Sequence, residues 1–410
     1  MGSWAVMAIL NLTLVGLLGL FMRLKMLLPM AWLNQKYLMH AHSHFAFAGW
    51  VSHALMLLML QAIFSLRKVD RLPTRYAYLL AANLFTAYGM LVCFSLQGYG
   101  LCAIIFSSLS ILISFVFSAL AWRDIGRSAL VPVVKQWFKA SLFFLLLSAL
   151  GTFALVYLMV SKHLDPQKQL ASVYFYLHFQ YNGWFLFSCM GLFLHWLYVK
   201  RGLLICSTAL FWLFFALVIP SYLLSVLWWK AFPVYLYFVL VLAVSVQFVL
   251  WCYFFGKIWR TMRQGFAFVR WNKSTRIFWV ISLLGVLLKV SLQAASVVPA
   301  LSQLVYAYRP IVIAYLHLVL LVIISLFILG LLFQHNLFAW NAWIHRCLMG
   351  FLLGVLLNEL ILTLQGIGAL LGVYFPYCDI GLALAALLIV SSLLGSLKQL
   401  SSASKSLSEL

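Results

Sequence analysis

The sequence predicts an all-α polytopic membrane protein with twelve transmembrane helices. Of the 410 residues, 66% are hydrophobic and only 8% are charged, a balance that no soluble domain has. The apolar residues form long continuous runs and do not alternate with polar ones, which excludes a transmembrane β-barrel. Each run is close to the ~20 residues that an α-helix needs to cross the hydrocarbon core of a bilayer.

Short connections separate these runs along the chain. The longest predicted connection, 257–276, is too short for an extramembrane domain, so we expect one transmembrane domain over 1–400 and a short cytoplasmic tail over 401–410. A cleaved signal peptide is not expected, because the first run lacks a basic segment before it and a small-residue cleavage site after it. The predicted spans are 4–22, 38–65, 76–97, 100–122, 137–160, 171–199, 203–228, 233–256, 277–298, 310–334, 347–372 and 378–397.

Lysine and arginine are distributed unevenly over the connections. When Lys139 and Lys289, which lie inside predicted spans, are left out, the N-terminus and the loops after even-numbered spans carry 18 of these residues, and the loops after odd-numbered spans carry 7. The positive-inside rule therefore predicts that both termini are cytoplasmic, and a bacterial inner membrane is the expected location. The formal net charge of +21 indicates contact with anionic lipid, and nucleic-acid binding is not expected.

The seven cysteines predict neither a redox centre nor covalent haem attachment. The sequence contains no Cys-x-x-Cys pair and no Cys-x-x-Cys-His motif. Most of the cysteines lie inside spans, where a cysteine usually serves as a small hydrophobic residue. The chain also shows no sequence repeat of fixed period.

Histidines lie a few residues inside the outer end of three predicted spans. The second span holds His40, His42 and His44, the sixth holds His178, and the tenth holds His317. Under the predicted topology all three spans run inward, which brings these histidines within ~10 Å of one level. A histidine in hydrocarbon costs free energy unless it has a partner, so this common depth predicts a metal or haem site between helices.

The second span can present its histidines to two different sites. At 100° per residue, His40 and His44 share one face of a helix, and His42 points away from it. His53 shares the face of His42, where we interpret it as a polar core residue. Which of the three outer histidines is a ligand stays open at this point.

Three short segments resemble the catalytic subunit I of the haem-copper oxidase superfamily. They are His-Ala-His-Ser-His-Phe-Ala-Phe-Ala-Gly-Trp at 40–50, His-Phe-Gln-Tyr-Asn-Gly-Trp at 178–184, and Tyr-Leu-His at 315–317. The first two are most similar to the cbb-type and nitric-oxide-reductase branch of that family. Twelve spans with cytoplasmic termini are also typical of the family.

The resemblance implies a b-type haem ligated by two histidines. His317 would be one ligand, and one of His40, His42 and His44 would be the other. His178 would occupy the position of the first copper ligand, which makes His178, His317 and His44 the candidate metal ligands. The copper site is incomplete, since the span at 203–228 contains no histidine.

The resemblance also implies an apolar slot for the porphyrin. Trp50 and Trp184, which close the first two segments, are the candidates to line it. Iron in such a site would be held by neutral imidazoles, whose identity sets the redox potential.

Two charged residues lie near the middle of the predicted membrane. Glu359 is far inside the eleventh span, and Lys289 lies at a similar depth in the ninth. A proton relay is one interpretation, and a buried ion pair or a hydrogen-bonded polar network is the other.

These observations favour a haem-binding redox membrane protein that transfers electrons or binds O2 or NO near the outer face. An oxidoreductase is the expected class of enzyme if the resemblance holds. The expected partners are the lipid bilayer, other membrane subunits and a periplasmic electron donor. Two alternatives stay open, a transporter or metal-handling permease and a chemically inactive structural subunit.

Overall fold

Helices make up every regular element in the part of the chain that the structure describes. Eleven of these helices are long and apolar enough to cross a membrane. The prediction of an α-helical integral membrane protein is therefore confirmed. The structure is a computed structural model that describes residues 1–66, 70–162, 165–229, 232–265, 273–334 and 341–408.

We number each long helix by the predicted span that it covers. A short additional helix, Pro299–Ala307, precedes helix 10 and has no number. The eleven apolar helices are helix 1 (Gly2–Leu27), helix 2 (Gln35–Phe64), helix 3 (Thr74–Gln97), helix 4 (Leu101–Arg127), helix 5 (Pro132–Val160), helix 7 (Thr208–Val226), helix 8 (Val234–Gly265), helix 9 (Lys273–Ala295), helix 10 (Arg309–Gln334), helix 11 (Ala342–Leu371) and helix 12 (Cys378–Ser408).

Helix 6 corresponds to the sixth predicted span but is less apolar than the others. It consists of three consecutive elements, Pro166–His178, Phe179–Phe185 and Leu186–Arg201, with no break between them. Asp165 caps its first turn by accepting hydrogen bonds from two backbone amides, those of residues 167 and 168. Polar side chains in its interior lower its hydropathy, although nearly all residues of its central part are buried.

The connection predicted at 257–276 is shorter in the structure than in the prediction. Helix 8 continues to Gly265, and helix 9 begins at Lys273. Lysine and arginine end an apolar run but are good helix formers, so the helix extends beyond the hydrocarbon. Residues 266–272 of this connection lie outside the described residues. Helix 12 likewise continues to Ser408, through most of the predicted tail.

One pair of cysteines is bonded, which the sequence analysis did not predict. A disulfide joins Cys93 at the end of helix 3 to Cys102 at the start of helix 4, with the two Cα atoms 5.8 Å apart. The other five cysteines are free thiols. The disulfide thus closes the short connection that carries Tyr99.

The chain divides into two compact units. The first unit comprises Met1–Phe117, Asn272–Val280 and Ser325–Leu410, and the second comprises Ser118–Trp271 and Ile281–Ile324. His40, His42, His44 and His53 belong to the first unit, and His178 and His317 belong to the second. Each unit is described below by itself.

Candidate histidine sites

Each of the three helices that carry the outer histidines, helices 2, 6 and 10, contains a π-helical segment shortly after those histidines. The segments are Ala46–Ser52 in helix 2, Phe179–Phe185 in helix 6 and Leu318–Ser325 in helix 10. A π-helix is rare and is frequent at functional sites, because the extra residue per turn reorients side chains and displaces carbonyl groups. The common position of these segments sets the three helices apart from the other described helices.

Side chains from neighbouring helices satisfy the carbonyl groups of the π-helical segments. In helix 2, the Asn11 side-chain amide donates to the Gly49 carbonyl at 2.5 Å, and that of Asn83 donates to the Ala48 carbonyl at 3.2 Å. In helix 10, the Ser282 hydroxyl donates to the Ile323 carbonyl at 2.8 Å. These bonds from side chains stabilise backbone that is displaced from regular helical pairing.

The first two segments also share a sequence motif. His-Phe-x-aromatic-x-Gly-Trp occurs at 44–50 and again at 178–184. Two occurrences make no repeat of fixed period, so this motif does not contradict the expectation that the chain has none. The motif contains the histidine and most of the π-helical segment that follows it. The glycine permits a close approach, since a Cβ at Gly183 would lie 2.4 Å from the Cβ of Phe144.

The structure confirms that the outer histidines of helix 2 point in two directions. His42 lies against helix 1, where its Nδ1 is 3.1 Å from the Val15 carbonyl and its ring lies close to Gly19. A carbonyl oxygen can only accept a hydrogen bond, so Nδ1 carries the proton and Nε2 carries the lone pair. His40 and His44 instead face the end of helix 3.

His44 is held in an aromatic environment at that end. Its ring stacks on Phe94 at a centroid distance of 4.2 Å, and its Nε2 lies 3.1 Å from the Tyr99 hydroxyl. His40 contacts the edge of the Tyr99 ring at 4.6 Å. Half of the Tyr99 side chain is exposed, yet desolvation of its hydroxyl by burial raises the pKa of Tyr99, so the phenol is protonated at neutral pH.

His178 is buried, and the protein engages both of its ring nitrogens. Nε2 donates to the Val218 carbonyl at 2.9 Å, and Nδ1 accepts from the Asn182 side-chain amide at 3.1 Å. The lone-pair nitrogen is therefore Nδ1, and it already has a hydrogen-bond donor. A copper ion at this position would have to displace Asn182.

His317 has a different arrangement, although His178 and His317 both end a Tyr-Leu-His sequence, at 176–178 and at 315–317, and both precede a π-helical segment. Its Nδ1 donates to the Ile313 carbonyl one turn earlier in helix 10, at 2.9 Å. This bond fixes the tautomer in which Nε2 carries the lone pair. The neighbouring Tyr315 contacts the ring of Tyr181 at 6.2 Å in an edge-to-face geometry.

Both tryptophans that the resemblance singled out are fully buried, with exposed fractions of 1% for Trp50 and 0% for Trp184. The Trp50 indole donates to the Ser325 hydroxyl at 2.8 Å, which joins helix 2 to helix 10 within the first unit. Trp50 therefore has a defined structural partner, and its assignment to a porphyrin slot stays a prediction.

The structure confirms the interpretation of His53 as a polar core residue. The residue follows the first π-helical segment and is completely buried, with its ring 5.9 Å from that of Trp4. Neither of its ring nitrogens has a hydrogen-bond partner among the described residues. Its position on the face of His42, eleven residues deeper, was the available signal.

The two charged residues at mid-membrane each have an amide partner on their own helix. The Lys289 ammonium donates to the Gln293 side-chain oxygen at 3.0 Å, and the Asn358 amide donates to the Glu359 carboxyl at 3.3 Å. Lys289 belongs to the second unit and Glu359 to the first. Their role as a proton relay stays a prediction.

The described part of the chain contains no group of three or more histidine, cysteine, aspartate or glutamate side chains arranged to hold a metal ion. His44 and the pair His178 and His317 lie in different units, so the candidate metal set is not brought together within either unit. No protein-family model and no curated protein matches this chain.

Proposed function

We propose that this membrane protein binds haem through histidines of helices 2 and 10 and uses it for electron transfer or for binding a diatomic gas. The observation that carries the proposal is the tautomer at His42 and His317. At both residues Nδ1 donates to a backbone carbonyl, which makes Nε2 the lone-pair nitrogen. Histidines that ligate metals are commonly oriented by such a bond from their second ring nitrogen.

Among the three outer histidines of helix 2, His42 is the proposed ligand. The Nε2 atom of His44 lies against the Tyr99 hydroxyl, and its ring is stacked on Phe94. His40 shares that face and contacts the same tyrosine. His42 alone of the three has the backbone-fixed tautomer that His317 also has.

A haem held by two histidines would supply one-electron chemistry, and it would bind a small gas only where one of the two histidines leaves the iron. The residues of the chain would hold the imidazoles in one orientation through Val15 and Ile313, and they would keep the surroundings apolar. Trp50 and Trp184 are the proposed lining of the slot. Copper at His178 remains an implication of the family resemblance, and the geometry of His178 does not favour it.

We also propose that helix 6 is a twelfth transmembrane span, between helices 5 and 7. It is continuous over 166–201, which is more than enough to cross a bilayer. With twelve spans, the distribution of lysine and arginine places both termini in the cytoplasm and the histidine ends of helices 2, 6 and 10 toward the outer face. A bacterial inner membrane is the proposed location.

The test is haem analysis of the full chain, expressed with excess haem and purified in detergent. We expect a Soret band and about one haem per chain. His42→Ala and His317→Ala should each lower the haem content by about tenfold or more, because each removes a side chain that would hold the haem. The metal content of the same sample, copper included, is measured in parallel.

The matched controls are His40→Ala and His44→Ala, which alter the same segment of helix 2 on its other face. Both should retain haem. If His44→Ala lost haem and His42→Ala retained it, His44 and not His42 would be the haem ligand in helix 2. A folded native protein that takes up no haem would contradict the proposal and favour a permease or a structural subunit.

A further inference from the structure

Two buried polar side chains on helix 9 have more hydrogen-bond donors than the protein uses. Lys289 and Gln293 lie one turn apart and are 2% and 8% exposed. The Lys289 ammonium donates to the side-chain oxygen of Gln293. In the described part of the chain, this shared bond is the only hydrogen bond of either side chain.

Lys289 and Gln293 together have more N–H donors than their shared hydrogen bond uses. An ammonium group has three N–H donors, and the amide nitrogen of a glutamine has two. The shared bond uses one of these five donors. Buried donors without acceptors cost free energy, and the Lys289 ammonium, on a side chain that is 2% exposed, keeps two donors without an acceptor among the described residues.

The charge of Lys289 has no ion-pair partner among the described residues of its unit. The second unit contains two carboxylates, Asp124 and Asp165. Asp165 caps helix 6 and pairs with Lys168 at 3.6 Å, and among the described residues no ion pair joins Lys289 to a carboxylate. An isolated ammonium in an apolar interior is costly, and an anion beside it would offset that cost.

The pair is directed toward the histidine region of the second unit. Ser282 and Gly285 pack against the π-helical segment of helix 10 at Ile323, and Lys289 follows on the same helical face. Lys289 therefore lies on the face of helix 9 that packs against helix 10, and at 2% exposure its side chain does not face lipid.

We propose that Lys289 and Gln293 form a binding site for a small monovalent inorganic anion, of the class of nitrite, azide or chloride. One ammonium matches one negative charge, and the amide N–H groups supply the second point of attachment. Lys289 lies about 9 Å along the helix axis from Ala295, where helix 9 ends. The proposal does not depend on haem.

The experiment is thermal unfolding of the purified full chain, followed by tryptophan fluorescence at constant ionic strength. Sodium nitrite, azide and chloride are each titrated against gluconate, which is too large for the site. We expect a saturable rise of the unfolding midpoint with at least one of the small anions. Lys289→Met should weaken the apparent affinity by about tenfold or more, and Gln293→Leu should weaken it less.

The matched control is Lys139→Met, which removes a half-buried lysine from helix 5 of the same unit, where Lys139 lies over the Trp122 ring. This variant should keep the native anion response. Without added small anions, Lys289→Met should unfold at a higher temperature than the native protein, since it removes an uncompensated buried charge.

The absence of a saturable response in the native protein would overturn the proposal. An unchanged response in both Lys289→Met and Gln293→Leu would also overturn it. The titration is carried out on haem-free protein as well, so a chain that binds no haem can still show the anion site. Failure of the haem proposal and failure of this one are therefore distinguishable.

Discussion

His317 and His178 belong to the same unit and precede π-helical segments in the same way, yet the protein engages them differently. His317 donates from Nδ1 to a carbonyl of its own helix. His178 donates from Nε2 to another helix and accepts at Nδ1 from Asn182. A shared sequence pattern thus determines where a histidine lies in its helix but not which tautomer it adopts. The tautomer decides which ring nitrogen can ligate a metal.

The cause of the difference lies in helix 7. After Pro220 the helix tightens into a 3₁₀ turn at Tyr222, whose backbone amide donates to Ile219 instead of Val218. The Val218 carbonyl is thereby released, and it accepts from the Ser221 hydroxyl and from His178. The local distortion of helix 7 thus allows His178 to form a hydrogen bond that joins helix 6 to helix 7.

The largest effect on stability is expected for His178→Leu. The substitution removes both hydrogen bonds and leaves the buried Asn182 amide without its acceptor, at a cost of about 1–3 kcal/mol. The unfolding midpoint in detergent should fall, while the haem content per folded chain should stay close to native. Loss of haem without loss of stability would contradict the comparison, because His178 would then act as a ligand.

A smaller effect is expected for Tyr99→Phe. This change removes the hydroxyl that contacts Nε2 of His44 but keeps the ring contacts with His40 and Phe94. One neutral hydrogen bond at a partly exposed position contributes about 0.5–1 kcal/mol, so the midpoint should fall slightly and the haem spectrum should not change. A shifted Soret band in this variant would indicate that His44, and not His42, is the ligand in helix 2.

Much of the fold could be predicted from the sequence because the apolar runs are unambiguous. The span predicted at 76–97 is the helix Thr74–Gln97, and that at 310–334 is Arg309–Gln334. Helix ends beyond the hydrocarbon were less predictable, as the extension of helix 8 to Gly265 shows. Hydropathy detects where an apolar run stops, whereas the helix stops where its backbone pairing and capping stop.

The sites could be predicted only in part. Periodicity correctly separated the face of His42 from that of His40 and His44, since it follows from helical geometry alone. The π-helical segments could not be predicted, because they depend on tertiary bonds such as that from Asn11 to Gly49. The two hydrogen bonds of His178 could not be predicted either, since one of them requires the released carbonyl of Val218 in helix 7.

Chemical rescue of ligation tests the central claim most directly. His42→Gly and His44→Gly are each reconstituted with haem in the presence and in the absence of imidazole, and the absorption spectrum of the oxidised protein is recorded for both preparations. The account predicts that His42→Gly loses the low-spin bis-histidine spectrum and regains it when imidazole occupies the place of the side chain, whereas His44→Gly keeps the native spectrum throughout. A native spectrum in His42→Gly prepared without imidazole would contradict the claim that His42 ligates the iron.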